Sequence, residues 1–365
     1  MEKNPFKFGS IVNEPYFTNR TKEIEKVISV LNSENHLVLV GPRRYGKSSL
    51  VFKVVSELKR PVIALDLQLI TGAHDLAAQL LRRIYRVFPF ERVRQYVKHF
   101  RVIPTISVNP VTNEVDISFQ AGSDNPALLE DVLNLLEKLS KKGKRLIVVF
   151  DEFQELGKID ARLLNQFRSI MQHHQKVNYV FLGSQESLMR EIFEKKKSPF
   201  YHFGLLMNLE KIPYREFHDF LSANFKKVIN NPNQISENIL SVTGCHPYYT
   251  QQFAWVIWEK ILKDKAARNI HEEAVQELIR THDMDYERIW MNFNKSDKKM
   301  LIGLSFSDLS PLSEMFLREF DLGASSTAFS TLKRLAQSGY VTKITNRYEI
   351  DDPFFKIWIR QRRKA

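Results

Sequence analysis

The chain has 365 residues, a net charge of +12 and 43% hydrophobic residues, which is typical of a globular protein with two or three domains. No apolar run approaches the ~20 residues that cross a bilayer, and the first residues lack a signal-peptide layout. Cys245 is the only cysteine, which excludes an intramolecular disulfide and a cysteine-rich metal site. We therefore expect a cytoplasmic protein without a membrane partner. The positive charge favours either a polyanionic partner or lysine-rich solvated faces.

Short apolar runs alternate with helical patterns over the first part of the chain. Buried apolar strands that alternate with helices predict an α/β fold with a parallel sheet covered on both faces. The strands are predicted at 36–40, 61–67, 146–150, 178–182 and 205–209, and the helices at 48–58, 75–96, 126–140 and 161–174.

One segment interrupts this alternation. Apolar and polar residues alternate over 101–109 and 114–120, on either side of a turn at 110–113. The pattern predicts a β-hairpin inserted into the α/β core at about 101–120.

A phosphate-binding loop follows the first predicted strand. Backbone N–H groups of such a loop and the dipole of the following helix favour an anion at one place. We expect Lys47 to reach the β- and γ-phosphates of ATP and the Ser48 hydroxyl to bind Mg²⁺. The pattern G-x-x-x-x-G-K-[ST] is matched at every fixed position. The predicted nucleotide-binding residues of the loop are Gly41, Pro42, Arg43, Arg44, Tyr45, Gly46, Lys47, Ser48 and Ser49.

The third predicted strand ends in two carboxylates, Asp151 and Glu152. A charge at the end of a buried strand is costly unless a cation lies beside it. Next to a loop that supplies Ser48, we expect Asp151 to hold Mg²⁺, directly or through water. Glu152 would polarise the attacking water, so Glu152 and Lys47 are the predicted catalytic residues. The alternative is a strand that simply meets solvent.

The fourth predicted strand is followed by polar residues, of which Ser184 and Gln185 come first. Carboxyl ends of neighbouring parallel strands meet at one edge of a sheet, so either side chain could face the γ-phosphate. Loop residues after a strand are commonly polar, and the alternative is that neither contacts the nucleotide.

From residue 213 onward no further buried parallel strand is predicted. Helical patterns over 214–228, 236–242, 247–263 and 271–281 indicate a small helical domain. The remainder of the chain shows three helices followed by a β-hairpin, which is the layout of a winged helix-turn-helix domain. These elements are predicted at 298–304, 311–320, 325–338, 340–344 and 348–350, with the hairpin turn at 345–347.

The third helix of this module, from Ser325 to Ser338, is expected to bury Phe329, Leu332 and Leu335. It also carries Lys333 and Arg334 and no acidic residue, which favours contact with DNA. The hydroxyl side chains that could contact phosphates or bases are Ser325, Ser326, Thr327, Ser330 and Thr331.

The chain ends in a basic run from Arg360 to Lys364, which also favours DNA. However, residues 298–365 hold twelve Lys or Arg and seven Asp or Glu, so their net charge is only 12 − 7 = +5. Three roles stay open for the winged helix: contact with DNA, contact with a protein partner, or an autoinhibitory lid. The segment from Asp352 to Trp358 is expected to pack the module onto the rest of the protein.

Several strings together resemble the archaeal/bacterial-type ATPase family of the STAND P-loop NTPases, relatives of the AAA+ class. The resemblance covers residues 4–365 and implies an ASCE-type sheet of order 5-1-4-3-2, with the acidic strand adjacent to neither edge. It also implies a helical lid domain after the core. The strings are Asn4-Pro5-Phe6, Phe17-Thr18-Asn19-Arg20, the loop at 41–50, the acidic strand at 148–155 and Gly244-Cys245-His246-Pro247.

The resemblance also implies site residues outside the phosphate-binding loop and the acidic strand end. Gly244 and Pro247 would belong to a lid element that contacts nucleotide, although Pro247 is also a common first residue of a helix. Arg20 would lie near the adenine, and the alternative is that it pairs with Glu23.

The chain departs from the family after Ser198-Pro199-Phe200-Tyr201, where relatives tend to have an arginine finger and this chain continues with His202. Such an arginine contributes on the order of 10³–10⁵ in rate, so we expect slow hydrolysis. The candidate charge-stabilising residues are Arg43, Arg44, Arg190 and Arg215.

The sequence therefore predicts a molecular switch that binds ATP and Mg²⁺ and hydrolyses ATP slowly. A nucleotide-dependent oligomer is one of the partnerships that the sequence leaves open. The alternative is a DNA-binding regulator that holds ATP structurally. A small-molecule kinase is disfavoured because no second substrate pocket is recognisable. The predicted domains are an ATPase core at 1–212, a helical lid at 213–295 and a winged helix at 296–365.

Overall fold

The computed structural model describes residues 2–108, 115–120, 125–141, 143–264, 269–344 and 347–363. The chain forms two compact units, each assembled from separate stretches of sequence. We call the unit of residues 20–41 and 47–210 the α/β unit, and the unit of residues 1–19, 42–46 and 211–365 the helical unit.

The α/β unit contains a five-stranded parallel sheet and a separate two-stranded hairpin. Strands at 37–40 and 177–183 are buried along their whole length, as expected for strands in the middle of a covered parallel sheet. The strands are β1 (Leu37–Val40), β2 (Val62–Asp66), β3 (Thr105–Val108), β4 (Val115–Ser118), β5 (Leu146–Asp151), β6 (Val177–Gly183) and β7 (Leu205–Asn208).

The strand order of the large sheet is β2-β5-β6-β1-β7, and all four pairings are parallel. Counting these five strands alone from the opposite edge, the order is 5-1-4-3-2. The acidic strand β5 pairs with β2, which is itself an edge strand. The expectation that the acidic strand is adjacent to neither edge was therefore wrong, although β5 is not an edge strand itself.

Eight α-helices and two short 3₁₀ helices, Leu67–Leu69 and Phe153–Glu155, lie in the described part of the α/β unit. The predicted helix at 75–96 is two helices, because Pro89 lacks an N–H and has φ −55° and ψ 134°, which separates them. The helices are α1 (Thr21–Asn32), α2 (Lys47–Leu58), α3 (Ala73–Val87), α4 (Phe90–Val97), α5 (Asn125–Leu139), α6 (Leu156–Ile159), α7 (Arg162–Met171) and α8 (Glu186–Glu194).

An aromatic cluster holds the segment that follows β5. Phe153 is fully buried, and its ring centroid lies 4.5 Å from that of Phe181 and 5.6 Å from that of Phe193. Aromatic pairs at these separations contribute beyond their buried area. This packing fixes the backbone directly after Asp151 and Glu152.

The inserted hairpin consists of β3 and β4, which pair antiparallel. Ile117 is 2% exposed and packs in the core of the α/β unit, while Arg82 of α3 donates to Asp116 at 2.6 Å. The predicted turn at 110–113 lies outside the described residues.

The helical unit contains the remaining helices and a second hairpin, β8–β9. The helix predicted at 271–281 extends to Asn292, since no glycine or proline interrupts it before that residue. The elements are α9 (Tyr214–Phe225), α10 (Pro232–Thr243), α11 (Pro247–Lys263), α12 (Ile270–Asn292), α13 (Lys295–Phe306), α14 (Glu314–Glu319), α15 (Ser325–Gln337), β8 (Val341–Ile344), β9 (Arg347–Ile350) and α16 (Pro353–Arg362).

Helix α15 and the hairpin β8–β9 follow α13 and α14, in the order expected of a winged helix. Helix α15 buries Ala328, Thr331, Leu332 and Leu335, whose spacing places them on one helical face. Phe329 lies off this face and is 53% exposed, so the prediction that it is buried was wrong. Thr331 is 2% exposed, which excludes it from the predicted hydroxyl contacts to DNA. The turn residues 345 and 346 lie outside the described residues.

Basic residues of the winged helix form ion pairs within the helical unit. Arg334 donates to Asp297 at 2.6 Å, and Arg362 donates to Asp283 at 3.0 Å. Arg363 donates to Glu287 at 2.6 Å and also lies over the Trp358 ring at 4.9 Å. These three cations of the predicted DNA-contacting set are therefore partly neutralised, and Lys364 lies outside the described residues.

Within the described residues, none of the helices combines the length and the apolar character needed to span a membrane.

Candidate nucleotide-binding site

The loop at 41–46 begins at the carboxyl edge of the sheet. Val40, the last residue of β1, pairs with Gly183 of β6 on one side and with Asn208 of β7 on the other. Gly46 has a φ of +88°, which glycine adopts without steric strain. Helix α2 begins at the next residue, and the N–H groups of its first turn have no partner within the helix. This edge therefore provides the backbone donors that an anion requires.

Lys47 is enclosed by this segment. Its side chain is 6% exposed, and Nζ donates to the carbonyl oxygen of Gly41 at 2.7 Å. An ammonium group carries three N–H donors, so a contact with one carbonyl is compatible with a charge-assisted hydrogen bond to an anionic ligand.

Ser48 and Asp151 meet although they lie 103 residues apart in sequence. The Ser48 hydroxyl donates to Asp151 Oδ2 at 2.7 Å. Burial raises the pKa of the Asp151 carboxyl above its ordinary value, and the charge of Glu152 adds to this, whereas the hydrogen bond from Ser48 opposes it. A carboxylate beside a hydroxyl is a set of oxygen ligands that suits Mg²⁺.

Glu152 follows Asp151 in the left-handed region, with φ 52° and ψ 48°. Its Oε2 accepts three hydrogen bonds: from Ser184 N at 3.1 Å, from Ser184 Oγ at 2.6 Å and from Gln154 Nε2 at 2.5 Å. The conformation is sparsely populated for residues other than glycine, asparagine and aspartate. The Glu152 carboxylate therefore lies between the carboxyl ends of β5 and β6.

The structure places the other predicted residues of the α/β unit in different surroundings. Ser49 is buried within α2, and Gln185 stands at the start of α8 without a side-chain capping bond. Arg20 is 3% exposed and donates to Glu23 Oε1 at 3.2 Å and to the Glu210 carbonyl at 2.9 Å. The pairing of Arg20 with Glu23 is thus present, and its contact with adenine stays a prediction.

Residues 42–46 belong to the helical unit, where two of them contact the start of α11. Arg44 Nη1 donates to the Tyr249 hydroxyl at 3.1 Å, and the guanidinium lies 4.6 Å from the centre of the Tyr248 ring. The Tyr45 ring meets His246 edge-on at 4.8 Å. Part of the predicted phosphate-binding loop therefore rests on α11, while Arg43 is exposed.

The element that carries Gly244 and Pro247 forms the junction of α10 and α11. Gly244 ends α10 with a φ of +56°, and Pro247 occupies the first turn of α11. His246 is 1% exposed and caps α11, since its Nδ1 accepts from Tyr248 N at 3.2 Å. Pro247 is thus at the helix position that proline favours, and its contact with nucleotide is still a prediction.

Asp352 continues this set of contacts inside the helical unit. The carboxylate caps α16 and accepts from the Tyr286 hydroxyl at 3.0 Å, while the Tyr249 ring packs edge-on against Phe354 in the first turn of α16, with 6.1 Å between ring centres. Burial raises the pKa of Asp352, and the hydrogen bonds from its partners oppose that shift. Tyr249 therefore connects Arg44 of the loop with the first turn of α16.

Sequence reasoning missed three of these residues. Gln154 lies two positions after Glu152, and its proximity to a predicted catalytic carboxylate was an available signal. Tyr249 and Asp352 carried no such signal, because their roles depend on bringing α11 and α16 together.

Comparisons with known proteins agree with this architecture. The sequence profile of a family described as an ATPase domain predominantly from Archaea matches residues 17–253, and a winged-helix domain profile matches residues 284–361. An uncharacterised ATP-binding protein of Methanocaldococcus jannaschii is 23% identical over 287 residues, which are 70% of this chain and 74% of that relative. A second such protein from that organism is 25% identical over 314 residues, covering 75% of this chain and 83% of the relative.

Solved structures show the same fold. A Walker-type ATPase of Pyrococcus abyssi is 18% identical with a TM-score of 0.68, and the match covers 98% of this chain and 99% of that one. The ORC2 protein of Aeropyrum pernix, solved in ADPNP–ADP complexes, is 15% identical with a TM-score of 0.53 over 96% of this chain and 94% of that one. Because the ATPase profile covers more than half of its length, this chain belongs to the ATPase family found predominantly in Archaea, with a P-loop NTPase fold and a C-terminal winged helix.

Proposed function

We propose that this protein is an ATP-binding, slowly ATP-hydrolysing molecular switch of the STAND type, related to AAA+ proteins, in which the nucleotide state controls the winged helix. The hydrogen bond between Ser48 and Asp151 carries the proposal, because it brings the phosphate-binding loop and the acidic strand end together. Membership of an ATPase family supports the hydrolytic part.

The donor set fits a magnesium-bound triphosphate. Ser48 and Asp151 would hold Mg²⁺ through oxygen atoms, and Lys47, already enclosed beside Gly41, would donate to the phosphates. When bound, Mg²⁺ neutralises charge that develops on the phosphate oxygens.

Glu152 is the proposed group that polarises the attacking water. Its carboxylate lies at the ends of β5 and β6, next to the strand end that supplies Asp151. A carboxylate acting as a general base typically contributes about 10²–10⁴ in rate, so its loss should be readily measurable.

The proposed slow hydrolysis is based on the contacts and exposure of the candidate arginines. Arg190 is paired with Glu186 and Glu194 on its own helix, at 2.9 and 2.8 Å. Arg44 is held by Tyr248 and Tyr249. Arg43 and Arg215 are exposed, so fixing either side chain against the transferring phosphate would cost conformational entropy.

Control of the winged helix is the second part of the proposal. Arg44 contacts Tyr249, and the Tyr249 ring packs on Phe354, whose N–H donates to the capping carboxylate of Asp352. A ligand that draws Arg44 toward phosphate would weaken its bond to Tyr249 and change the environment of that cap. For the functional domains we keep the proposal of an ATPase core at 1–212, a lid at 213–295 and a winged helix at 296–365, although residues 1–19 and 42–46 pack in the helical unit.

The alternative is a DNA-binding regulator that holds ATP without using its hydrolysis. The exposed face of α15 supports it, because Ser325, Ser326, Thr327, Ser330 and Lys333 are all exposed.

Glu152→Gln separates these functions, with Glu57→Gln on the exposed side of α2 as the matched control. For the switch, Glu152→Gln abolishes phosphate release while ATP stays bound, and Glu57→Gln behaves like the wild type. Phosphate release and binding of a fluorescent ATP analogue are measured on the same samples. Unchanged turnover in Glu152→Gln would contradict the proposed hydrolytic switch and favour the structural role of ATP.

A further inference from the structure

The carboxylate of Glu152 has two unequal oxygens. Oε2 accepts all three hydrogen bonds, from the backbone and hydroxyl of Ser184 and from Gln154. In the part of the chain that the structure describes, Oε1 accepts no hydrogen bond. One oxygen is thus held by the protein, and the other is available to a ligand.

Gln154 is built deeply into the α/β unit. Gln154 is 3% exposed and lies between the aromatic cluster around Phe153 and the end of β6. A Cβ placed on Gly183 would lie 2.8 Å from Gln154 Oε1, so the strand end leaves room for the amide by lacking a side chain. The amide is therefore held beside Glu152 by the packing around it.

The contacts of Gln154 favour a role at the site over a role in stability. Its Oε1 is a buried oxygen without a hydrogen-bond donor among the described residues. A buried amide whose oxygen has no hydrogen-bond donor contributes little to folding, because the desolvation cost of that oxygen is not offset. Its hydrogen bond to Glu152 is the polar contact that the described structure shows for this side chain.

We propose that Gln154 is a positioning residue that, with Ser184, fixes Oε2 of Glu152 and leaves Oε1 directed to the attacking water. This inference rests on the proposed function of Glu152. Without the amide, the carboxylate retains the Ser184 contacts but can rotate about them. A misplacement of ~1 Å at a reacting group costs on the order of 100-fold in rate.

The experiment compares Gln154→Met, which keeps an unbranched side chain without a donor, with Gln172→Met at the exposed end of α7. We expect the kcat of Gln154→Met to fall about 10- to 100-fold. Its affinity for ATP should stay within about 2-fold of the wild type, which we take as the mark of an unperturbed binding site. The melting temperature should not fall, because an unsatisfied buried oxygen is removed. Gln172→Met should leave all three quantities unchanged. Ser184→Ala, which removes one donor to the same oxygen, should lower kcat in the same direction.

A double-variant cycle decides how Gln154 acts. In the Glu152→Gln background, measured by single-turnover hydrolysis of radiolabelled ATP, adding Gln154→Met should change the residual rate by less than about 2-fold. An equal loss of rate in both backgrounds, or a loss that follows the melting temperature, would overturn the proposal. Normal kcat in both Gln154→Met and Ser184→Ala would overturn it as well. If Glu152→Gln itself turns over like the wild type, the proposed function fails, and this result is distinct from the others.

Discussion

Lys47 combines two properties that are rarely found together in one side chain. It is charged and 6% exposed, and its ammonium donates to the carbonyl of Gly41. Burying an ammonium is costly unless it is well paired. We propose that a bound phosphate group adds a charge-assisted hydrogen bond to this buried cation.

The first prediction concerns this ammonium. Lys47→Ala removes a charge-assisted hydrogen bond worth about 1.5–3 kcal/mol, so the dissociation constant for ATP should rise roughly 10- to 100-fold. Isothermal titration with ATP and Mg²⁺ measures it. Lys53→Ala, in the same helix and paired with Glu57, is the control and should bind like the wild type. Unaltered affinity in Lys47→Ala would exclude the loop as the phosphate site.

At the scale of elements, the carboxyl ends of three strands assemble the site. β1 continues into the loop, β5 supplies Asp151 and Glu152, and β6 ends at Gly183 directly before Ser184. Gly183 matters because a Cβ there would lie 2.3 Å from Met189 Cγ and 2.8 Å from Gln154 Oε1. The end of β6 is thus packed too tightly for any side chain.

Gly183→Ala should therefore destabilise the protein. Overpacking of a closely packed interior costs typically about 1–3 kcal/mol, and α8 would have to shift with Met189. Urea denaturation followed by circular dichroism measures the loss of unfolding free energy. Gly72→Ala is the matched control, since nothing lies within 4 Å of a Cβ at that position. Equal stability of the two variants would contradict the packing argument.

At the scale of the whole molecule, the helical unit contains both part of the phosphate-binding loop and the winged helix. Arg44, Tyr249 and Phe354 form a continuous set of contacts from that loop to the first turn of α16. A two-state element that both sites contact is the physical requirement for coupling between them.

Tyr249→Phe tests this coupling. The variant keeps the ring that packs on Phe354 but removes the hydroxyl that accepts from Arg44, while Asp352 retains Tyr286 and its two backbone donors. We expect ATP to bind with wild-type affinity. The ATP-dependent change in hydrogen–deuterium exchange of α16 should shrink by at least about half, since the hydrogen bond between Arg44 and the ring that packs on α16 is lost.

Tyr214→Phe on α9 is the control for this experiment, because Tyr214 is 52% exposed in the same unit. It should preserve the full response of α16 to ATP. A full response in Tyr249→Phe as well would contradict coupling through Tyr249.

The sequence by itself determined the strands, the loop and the acidic strand end, since these depend on local patterns. An apolar run followed by G-x-x-x-x-G-K-[ST] specifies a strand, a turn and a helix start over neighbouring residues, and Lys47 and Ser48 were identified in this way. Local patterns also predicted the order of helices and hairpin in the winged helix.

Tertiary structure decided what depends on residues far apart in sequence. Phe329 was expected to be buried because it is aromatic on an amphipathic helix, yet packing selects the face with Ala328 and Leu332. The hydrogen bonds of Gln154, Tyr249 and Asp352 depend on strand ends and helix starts that the fold brings together. A local pattern states which side chains are apolar, whereas the partners of a buried polar group are set only when distant elements pack.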